Sequence, residues 1–275
     1  MRGELNIRPA AVAGMFYPGA APALARELEA LLAAAAPEAA TARRPLPKAL
    51  IVPHAGYVYS GPVAASAYAS LAPLRDKIRR VVLLGPTHRV AVRGLALPQS
   101  SAFDTPLGSV PIDSALEQKI RQLPQVECSE AAHALEHSLE VQLPFLQSVL
   151  DDFSLLPLAV GMASDVDVAE VLDLVWGGPE TLIVISSDLS HYHPYSEAQR
   201  LDNVTAKQIV ALQPLASHEQ ACGATPVNGL LLCARRRGLQ PQLLDLRNSG
   251  DTAGDKSRVV GYGAFAFSEK KHDHQ

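Results

Sequence analysis

The stretch TLIVISSDLSH, at Thr181–His191, decides the fold class that this sequence predicts. It begins with an apolar run rich in β-branched residues, which favours a strand, and it ends with Asp188 and His191. Two earlier runs, KALIVP at Lys48–Pro53 and RVVLLG at Arg80–Gly85, have the same character and are also followed by a histidine. Short apolar runs without polar alternation are typical of strands that are buried on both faces of a parallel sheet.

The rest of the chain continues this order of strands and helices. Further strands are predicted at Phe153–Gly161, Gln242–Arg247 and Val259–Phe267, although Pro157 argues against a central position for the first of them. Helical patterns lie between the strands, at Pro22–Ala35, Pro62–Leu71, His137–Leu150, Asp165–Trp176, Ser196–Leu212 and Pro226–Arg237, with a connector at Pro37–Pro47. The sequence therefore predicts one α/β domain over residues 1–275, with a central, mostly parallel or mixed sheet flanked by helices and a frayed tail at 270–275.

Composition narrows the class of protein. Of the 275 residues, 48% are hydrophobic and 19% are charged, so the chain can bury a full core. The net charge is −4 and no stretch concentrates Lys and Arg, which argues against a nucleic-acid or membrane surface. There is no apolar run of about 18 residues and no secretory signal at the start. The three cysteines, Cys128, Cys222 and Cys233, lie in dissimilar contexts, so we expect free thiols in a cytoplasmic protein.

Histidines follow three of the predicted strands, at His54, His88 and His191. Ligands in open α/β sheets bind beyond the carboxyl ends of the strands, so we expect these imidazoles to share a cleft. Two neutral imidazoles are typical of a metal site, but a catalytic site needs a third protein ligand. The residues leave that third ligand open among the following candidates: Asp188, Cys222, Glu136 and His137.

Cys222 lies just before a predicted helix that Thr225 can cap and Pro226 can open. A thiol near the N-terminus of a helix is expected to have a lowered pKa, which favours the thiolate that a metal needs. Cys233, inside the apolar run GLLLCA, is expected to be a core residue instead.

The segment AHALEHSLEVQLPF, at Ala132–Phe145, carries His133 and His137 four residues apart, on one face of a predicted helix. Glu136 and His137 are candidates for groups that touch a substrate or support the metal ligands. The alternative is an N-terminal helical turn with surface side chains.

Asp188 precedes His191 by three residues and is expected to orient one of its ring nitrogens, which suits a general acid or base. Tyr57 and Tyr59 are candidates for the wall of the same cleft, or for packing. The G-x-S-x-G pattern of a serine hydrolase is absent around Ser186 and Ser187, which argues against that class.

Six motifs together resemble the Memo family, whose prokaryotic members are called AmmeMemoRadiSam system protein B. The resemblance runs in order from about Arg8 to Phe267, and it is carried by RPAAVAGMFYP (Arg8–Pro18), IVPHAGYVYSG (Ile51–Gly61), VVLLGPTH (Val81–His88), FDTPLGSVPID (Phe103–Asp113), EHSLEVQLPFL (Glu136–Leu146) and ISSDLSHY (Ile185–Tyr192).

This resemblance implies a fold similar to that of the LigB-type class III extradiol dioxygenases. It implies metal ligands at His54, His88 and Cys222, and a catalytic role for His191 with Asp188 beside it. Those dioxygenases hold iron(II) with two histidines and a glutamate, so a cysteine stands here in place of the carboxylate. Iron(II) is the expected metal, with zinc or copper as alternatives.

Two functions follow from the resemblance. One is a metal-dependent oxidoreductase, similar to a dioxygenase, that acts on an unknown substrate. The other is a non-catalytic protein that binds a peptide or a partner in a system with a radical-SAM protein and an AMMECR-domain protein.

Overall fold

The computed structural model describes residues 6–41 and 45–270. In this part of the chain, nine strands form one mixed sheet. The strands of that part of the chain are β1 (Ile7–Arg8), β2 (Pro47–Val52), β3 (Arg80–Pro86), β4 (Leu95–Leu97), β5 (Ala102–Thr105), β6 (Gly108–Pro111), β7 (Val126–Cys128), β8 (Ser154–Val160), β9 (Thr181–Ser186), β10 (His191–His193), β11 (Gln240–Asn248) and β12 (Val259–Ser268). The order across the large sheet is β10-β12-β2-β9-β3-β8-β4-β7, and β11 also pairs with β12.

The centre of this sheet is parallel, and its flanks pair with the centre in the antiparallel sense. Strands β2, β9, β3 and β8 run parallel, whereas β12 and β4 pair with them in the antiparallel sense. The four central strands are buried along almost their whole length, as their apolar composition predicts. A second, small sheet contains β1, β5 and β6.

Helices cover both faces of the large sheet. They are α1 (Ala21–Thr41), α2 (Tyr57–Tyr68), α3 (Ser114–Ile120), α4 (Glu130–Ala134), α5 (His137–Glu140), α6 (Leu143–Val149), α7 (Asp165–Val175), α8 (Tyr195–Val210), α9 (Ala224–Arg237) and α10 (Ser249–Thr252), with a 3-10 helix at Ala69–Leu74. Leu50 and Val52 face a core with α1, α2 and α6, whereas Ala49 and Ile51 face a second core with α7 and α9. The predicted α/β class with a central sheet is therefore confirmed.

The boundaries predicted for the first two helices are wrong. Helix α1 continues to Thr41, so the connector expected at Pro37–Pro47 begins later. Helix α2 begins at Tyr57, whose N–H bonds to the carbonyl of Phe16, and this places Pro62 inside the helix instead of in its first turn.

The helix predicted at His137–Leu150 is divided into α5 and α6. Pro144 explains the division, because it has no N–H to donate to the carbonyl four residues earlier, at Glu140. The preceding helix, α4, ends at Ala134, so His133 and His137 do not share one helical face as predicted.

Pro157 lies in a central strand after all, since β8 pairs with β3 on one side and β4 on the other. The proline is tolerated because β4 pairs only with Ala159 and Val160 of β8, beyond the position that lacks an N–H.

Within residues 6–41 and 45–270, no helix is both long and apolar enough to cross a bilayer. The tail predicted at 270–275, with His272 and His274, lies outside the described residues except for Lys270.

Candidate metal centre

Three neighbouring strands end at the site. Strand β9 lies between β2 and β3, with Val52 paired to Ser186 and Leu84 paired to Ile185. His54 follows β2 and His88 follows β3, so the two histidines flank the end of β9. Because parallel strands end at one edge of a sheet, this register alone brings both imidazoles together.

Cys222 lies at the same edge of the sheet. It lies just before α9, and its backbone N–H donates to the carbonyl of Asp188, at 3.3 Å. Its Sγ lies 3.4 Å from Nε2 of His54. The ligand atoms of His54, His88 and Cys222 all lie within 4.8 Å of one another, which makes these residues a candidate metal-binding group.

The hydrogen bonds of His54 fix the tautomer of its ring. Its Nδ1 lies 2.9 Å from Oγ of Ser186, which also lies 2.8 Å from Nε2 of Gln142 and 2.6 Å from the carbonyl of Ser138. The one hydroxyl hydrogen of Ser186 goes to that carbonyl, so Gln142 and His54 must both donate to Ser186. Nδ1 of His54 therefore carries the ring hydrogen, and the lone pair of Nε2 faces Cys222. Burial lowers the pKa of His54 to about 3, so this ring is neutral at physiological pH.

Glu136 fixes the tautomer of the His88 ring, as Ser186 does for His54. One carboxylate oxygen accepts the backbone N–H of His88 at 2.6 Å, and the other lies 2.8 Å from Nδ1 of the ring. Burial alone would raise the pKa of Glu136, but hydrogen bonds from His88 and Ser138 outweigh it and lower the pKa to about 2. The ionised carboxylate holds the hydrogen on Nδ1, which leaves Nε2 of His88 free to bind a metal.

A glycine on β3 lets Glu136 come this close. A Cβ atom at Gly85 would lie 2.8 Å from Oγ of Ser138 and 3.0 Å from Cδ2 of Leu139, both on α5. Oγ of Ser138 instead donates to the carbonyl of Pro86, at 2.9 Å. The sequence pattern that ends β3 in Gly-Pro therefore sets the approach of α5 to the site.

The pKa of the Cys222 thiol is shifted in the direction opposite to the prediction. Burial and the nearby Asp188 carboxylate raise its pKa to about 12, so the prediction of a lowered pKa is wrong. The thiol is protonated at physiological pH, and its hydrogen can be donated to Nε2 of His54. Cys233 is fully buried, as predicted, and Cys128 is exposed.

His137 lies beside the two histidine rings, with ring centroids 4.6 Å from His88 and 5.4 Å from His54. His88, Glu136 and His137 also bring their ligand atoms within 4.8 Å of one another. The Glu136 carboxylate, however, already accepts the N–H groups of His88, His137 and Ser138. Donors aimed at both carboxylate oxygens make Glu136 a support for His88 rather than a metal ligand.

A cavity of about 570 Å³ opens in front of these rings. Its wall includes Phe16, His54, Tyr59, His88, His137, Asp188, His191, Tyr192, Arg258 and Tyr262. Tyr57 does not contribute, because it is 2% exposed and its hydroxyl donates to the carbonyl of Val141 in the core. Of the two tyrosines considered from the sequence, only Tyr59 can touch a ligand in the cavity.

Asp188 and His191 both line the cavity, but they are not joined in the way the sequence predicts. Oδ1 of Asp188 accepts the backbone N–H of His54 at 2.7 Å, and in the described chain no hydrogen bond joins this carboxylate to the His191 ring. His191 is held instead by its backbone, which pairs with Val260 of β12. The catalytic roles of both residues remain predictions.

His133, the other histidine of the motif around Glu136, lies outside the site. It is 1% exposed, and its Nε2 donates to the carbonyl of Ala96. The sequence does not predict that Ser186 and Gln142 support His54, because a single serine or glutamine carries no local signal of its distant partner.

A family model and curated relatives match nearly the whole sequence. The family model described as Memo-like protein matches residues 8–266. A MEMO1 family protein of Ignicoccus hospitalis is 37% identical over 281 residues, covering 95% of this chain and 98% of the relative. One of Aquifex aeolicus is 36% identical over 275 residues, covering 96% of this chain and all of the relative.

A solved structure shares the fold at low sequence identity. It is the crystal structure of uncharacterized protein JW3007 from Escherichia coli K12, with a TM-score of 0.51 and 13% identity over 78% of this chain and 98% of that chain. This likeness concerns the fold alone. The family model and the relatives, which span nearly the whole sequence, show that the chain belongs to the Memo family.

Proposed function

We propose that this protein binds iron(II) through His54, His88 and Cys222 and uses it for redox chemistry on a small ligand in the cavity. The observation that carries the proposal is that two imidazole nitrogens and one thiol sulfur lie within 4.8 Å of one another at the edge of the sheet. Each imidazole has its other nitrogen occupied by a support, at Ser186 or at Glu136.

The separation between two of the donors fits a metal ion. Metal–sulfur and metal–nitrogen bonds of about 2.3 and 2.0 Å place S and N about 3.1 to 3.5 Å apart at octahedral to tetrahedral angles. The observed separation of 3.4 Å between Sγ of Cys222 and Nε2 of His54 lies in that range. The same donor set suits zinc or copper, so the preference for iron rests on the family resemblance.

An iron(II) ion held by His54, His88 and Cys222 would supply a redox-active centre. The residues around it would orient the ligands and move protons. Asp188 fixes the backbone of His54, and Glu136 fixes the ring of His88. His137 and His191 line the cavity, where a ring nitrogen can give a proton to the ligand or take one from it.

The test is metal analysis after anaerobic purification, with a spectroscopic search for an iron–thiolate band, followed by oxygen uptake with catechols and small thiols. We expect one metal per chain, and loss of both metal and band in Cys222→Ser. Cys233→Ala is the control, since Cys233 lies in the core away from the cavity. A folded protein without metal that binds a radical-SAM partner tightly would refute the proposal and support the non-catalytic function.

A further inference from the structure

Arg8 on β1 is buried against the segment that carries Glu136, with 1% of its surface exposed. Its Nε donates to the carbonyl of His133 at 2.7 Å. One terminal nitrogen donates to the carbonyl of Glu136 and the other to the carboxylate of Glu140, each at 2.7 Å. The guanidinium therefore fixes three points along one short stretch of chain.

Glu140 completes this contact and has no exposed surface. Its two carboxylate oxygens also accept the N–H groups of Ala11 and Val12 and the hydroxyl of Tyr17. Replacing a buried ion pair with well-packed apolar side chains is often neutral or stabilising, so such a pair is weak evidence for stability. Its directional hydrogen bonds are stronger evidence that the position of the segment matters.

The segment that carries Glu136 is too short to keep its backbone conformation without tertiary contacts. Helix α4 has five residues and α5 has four, and isolated helices of this length are not stable in water. The junction between them is not helical, since Glu136 has φ −80° and ψ 128°. That backbone conformation is the one from which its carboxylate reaches both the N–H and the ring of His88.

We infer that Arg8 is a positioning residue for the metal centre. By holding the carbonyls of His133 and Glu136 together with the Glu140 carboxylate, it keeps the Glu136 carboxylate against His88. The ring of His88 then presents Nε2 toward His54 and Cys222. This inference rests on the proposed metal binding, but it concerns the orientation of His88, which can also be observed without metal.

The variants are Arg8→Lys and Arg8→Met, with Lys48→Met as the matched control. A lysine keeps the charge but lacks the planar fork that reaches three acceptors at once. Lys48 is also buried, and its ammonium donates to the carbonyls of Trp176, Gly178 and Thr181, each at 2.7 Å. It lies in β2, at the end of the strand opposite His54, so its loss removes a buried cation far from the site.

Two measurements are made on the full chain. The first is the affinity for Co(II), whose thiolate charge-transfer band reports on Cys222. Groups that orient metal ligands typically contribute 10- to 100-fold in affinity, so we expect a loss of about 10-fold in Arg8→Lys and about 100-fold in Arg8→Met. The second is the NMR signal of the His88 Nδ1 proton in metal-free protein, which we expect to weaken in both variants. Lys48→Met should lower the melting temperature and change neither readout.

The outcomes separate this inference from the proposed function. Wild-type affinity and an unchanged His88 signal in Arg8→Lys would overturn the inference. An equal loss of affinity in Lys48→Met would do the same, because the effect would then be general destabilisation. If the wild-type protein binds no Co(II), the proposed function fails, and the His88 proton signal alone decides whether Arg8 is a positioning residue. If neither Arg8 variant folds, Glu140→Gln takes their place.

Discussion

Metal binding should release one proton from Cys222, and the affinity should therefore depend steeply on pH. The raised pKa of this thiol, about 12, means that it is protonated throughout the physiological range. A metal binds the thiolate, so binding must displace the thiol hydrogen. His54 contributes no proton, because its pKa is lowered to about 3 and its ring is already neutral.

The size of the expected change in metal affinity follows from the release of one proton. Below a pKa of about 12, each unit of pH raises the fraction of thiolate tenfold, so the apparent affinity should also rise tenfold. Between about pH 7.5 and 9, above the range in which histidines usually titrate, the expected gain is about 30-fold, or about 2 kcal/mol. The sign is fixed: affinity increases with pH.

Zinc is the probe of choice, because it has no redox chemistry and binds the same donors. Its affinity is measured by competition with a chromophoric chelator at several pH values and constant ionic strength. Calorimetry in two buffers of different ionisation enthalpy counts the protons directly. Cys222→Ser should bind weakly and lose the slope, whereas Cys233→Ala should retain a slope of one.

A flat profile in the wild-type protein would refute this reasoning, since it would mean that Cys222 is not a ligand or is already ionised. A slope near two would show a second group that loses a proton on binding. An unchanged slope in Cys222→Ser would assign the proton to another residue.

Three further predictions concern the surroundings of the ligands. Glu136→Gln should lower metal affinity by about 10- to 100-fold in a folded protein, because the amide is a weaker acceptor for the His88 ring; isothermal titration measures this. Gly223→Ala should lower both metal occupancy and melting temperature, because a Cβ there would lie 2.8 Å from Cβ of Ser187 and displace the adjacent Cys222. His191→Ala should retain its metal, as elemental analysis would show, and loss of the metal would make His191 a ligand.

Much of the site could be predicted from the sequence because its geometry follows from strand order. His54 and His88 each follow a short apolar run, and parallel strands end at one edge of the sheet. Cys222 was one of four candidates for the third ligand until the family resemblance selected it. The local sequence marks it only as a thiol before a helix, and its place at the site depends on how α9 packs against the sheet face that carries Ala49 and Ile51.

Other parts of the site depend on contacts between distant residues and leave no local pattern. Tyr57 and Tyr59 are the same residue type in the same motif. In α2, however, the Tyr57 side chain is buried in the core and the Tyr59 side chain lines the cavity. Asp188 and His191 have a spacing that suits a hydrogen-bonded pair, but the hydrogen bond found at this carboxylate is to the backbone of His54, 134 residues away in the sequence. The buried N–H of His54 needs an acceptor, and Oδ1 of Asp188 provides it.

Two physical effects shift the pKa of the Cys222 thiol in opposite directions, and burial is the larger of the two. Proximity to the N-terminus of a helix stabilises a negative charge by about 0.3 to 1 kcal/mol, less than one unit of pKa. Burial of an ionisable group opposes the charge by up to about 3 to 5 units, and the Asp188 carboxylate adds repulsion of the same sign. The sequence shows only the helix and not the burial, so it predicts the wrong direction. The consequence is chemical: without metal, Cys222 is a neutral thiol and a poor nucleophile, so the proposed metal binding would have to replace its hydrogen.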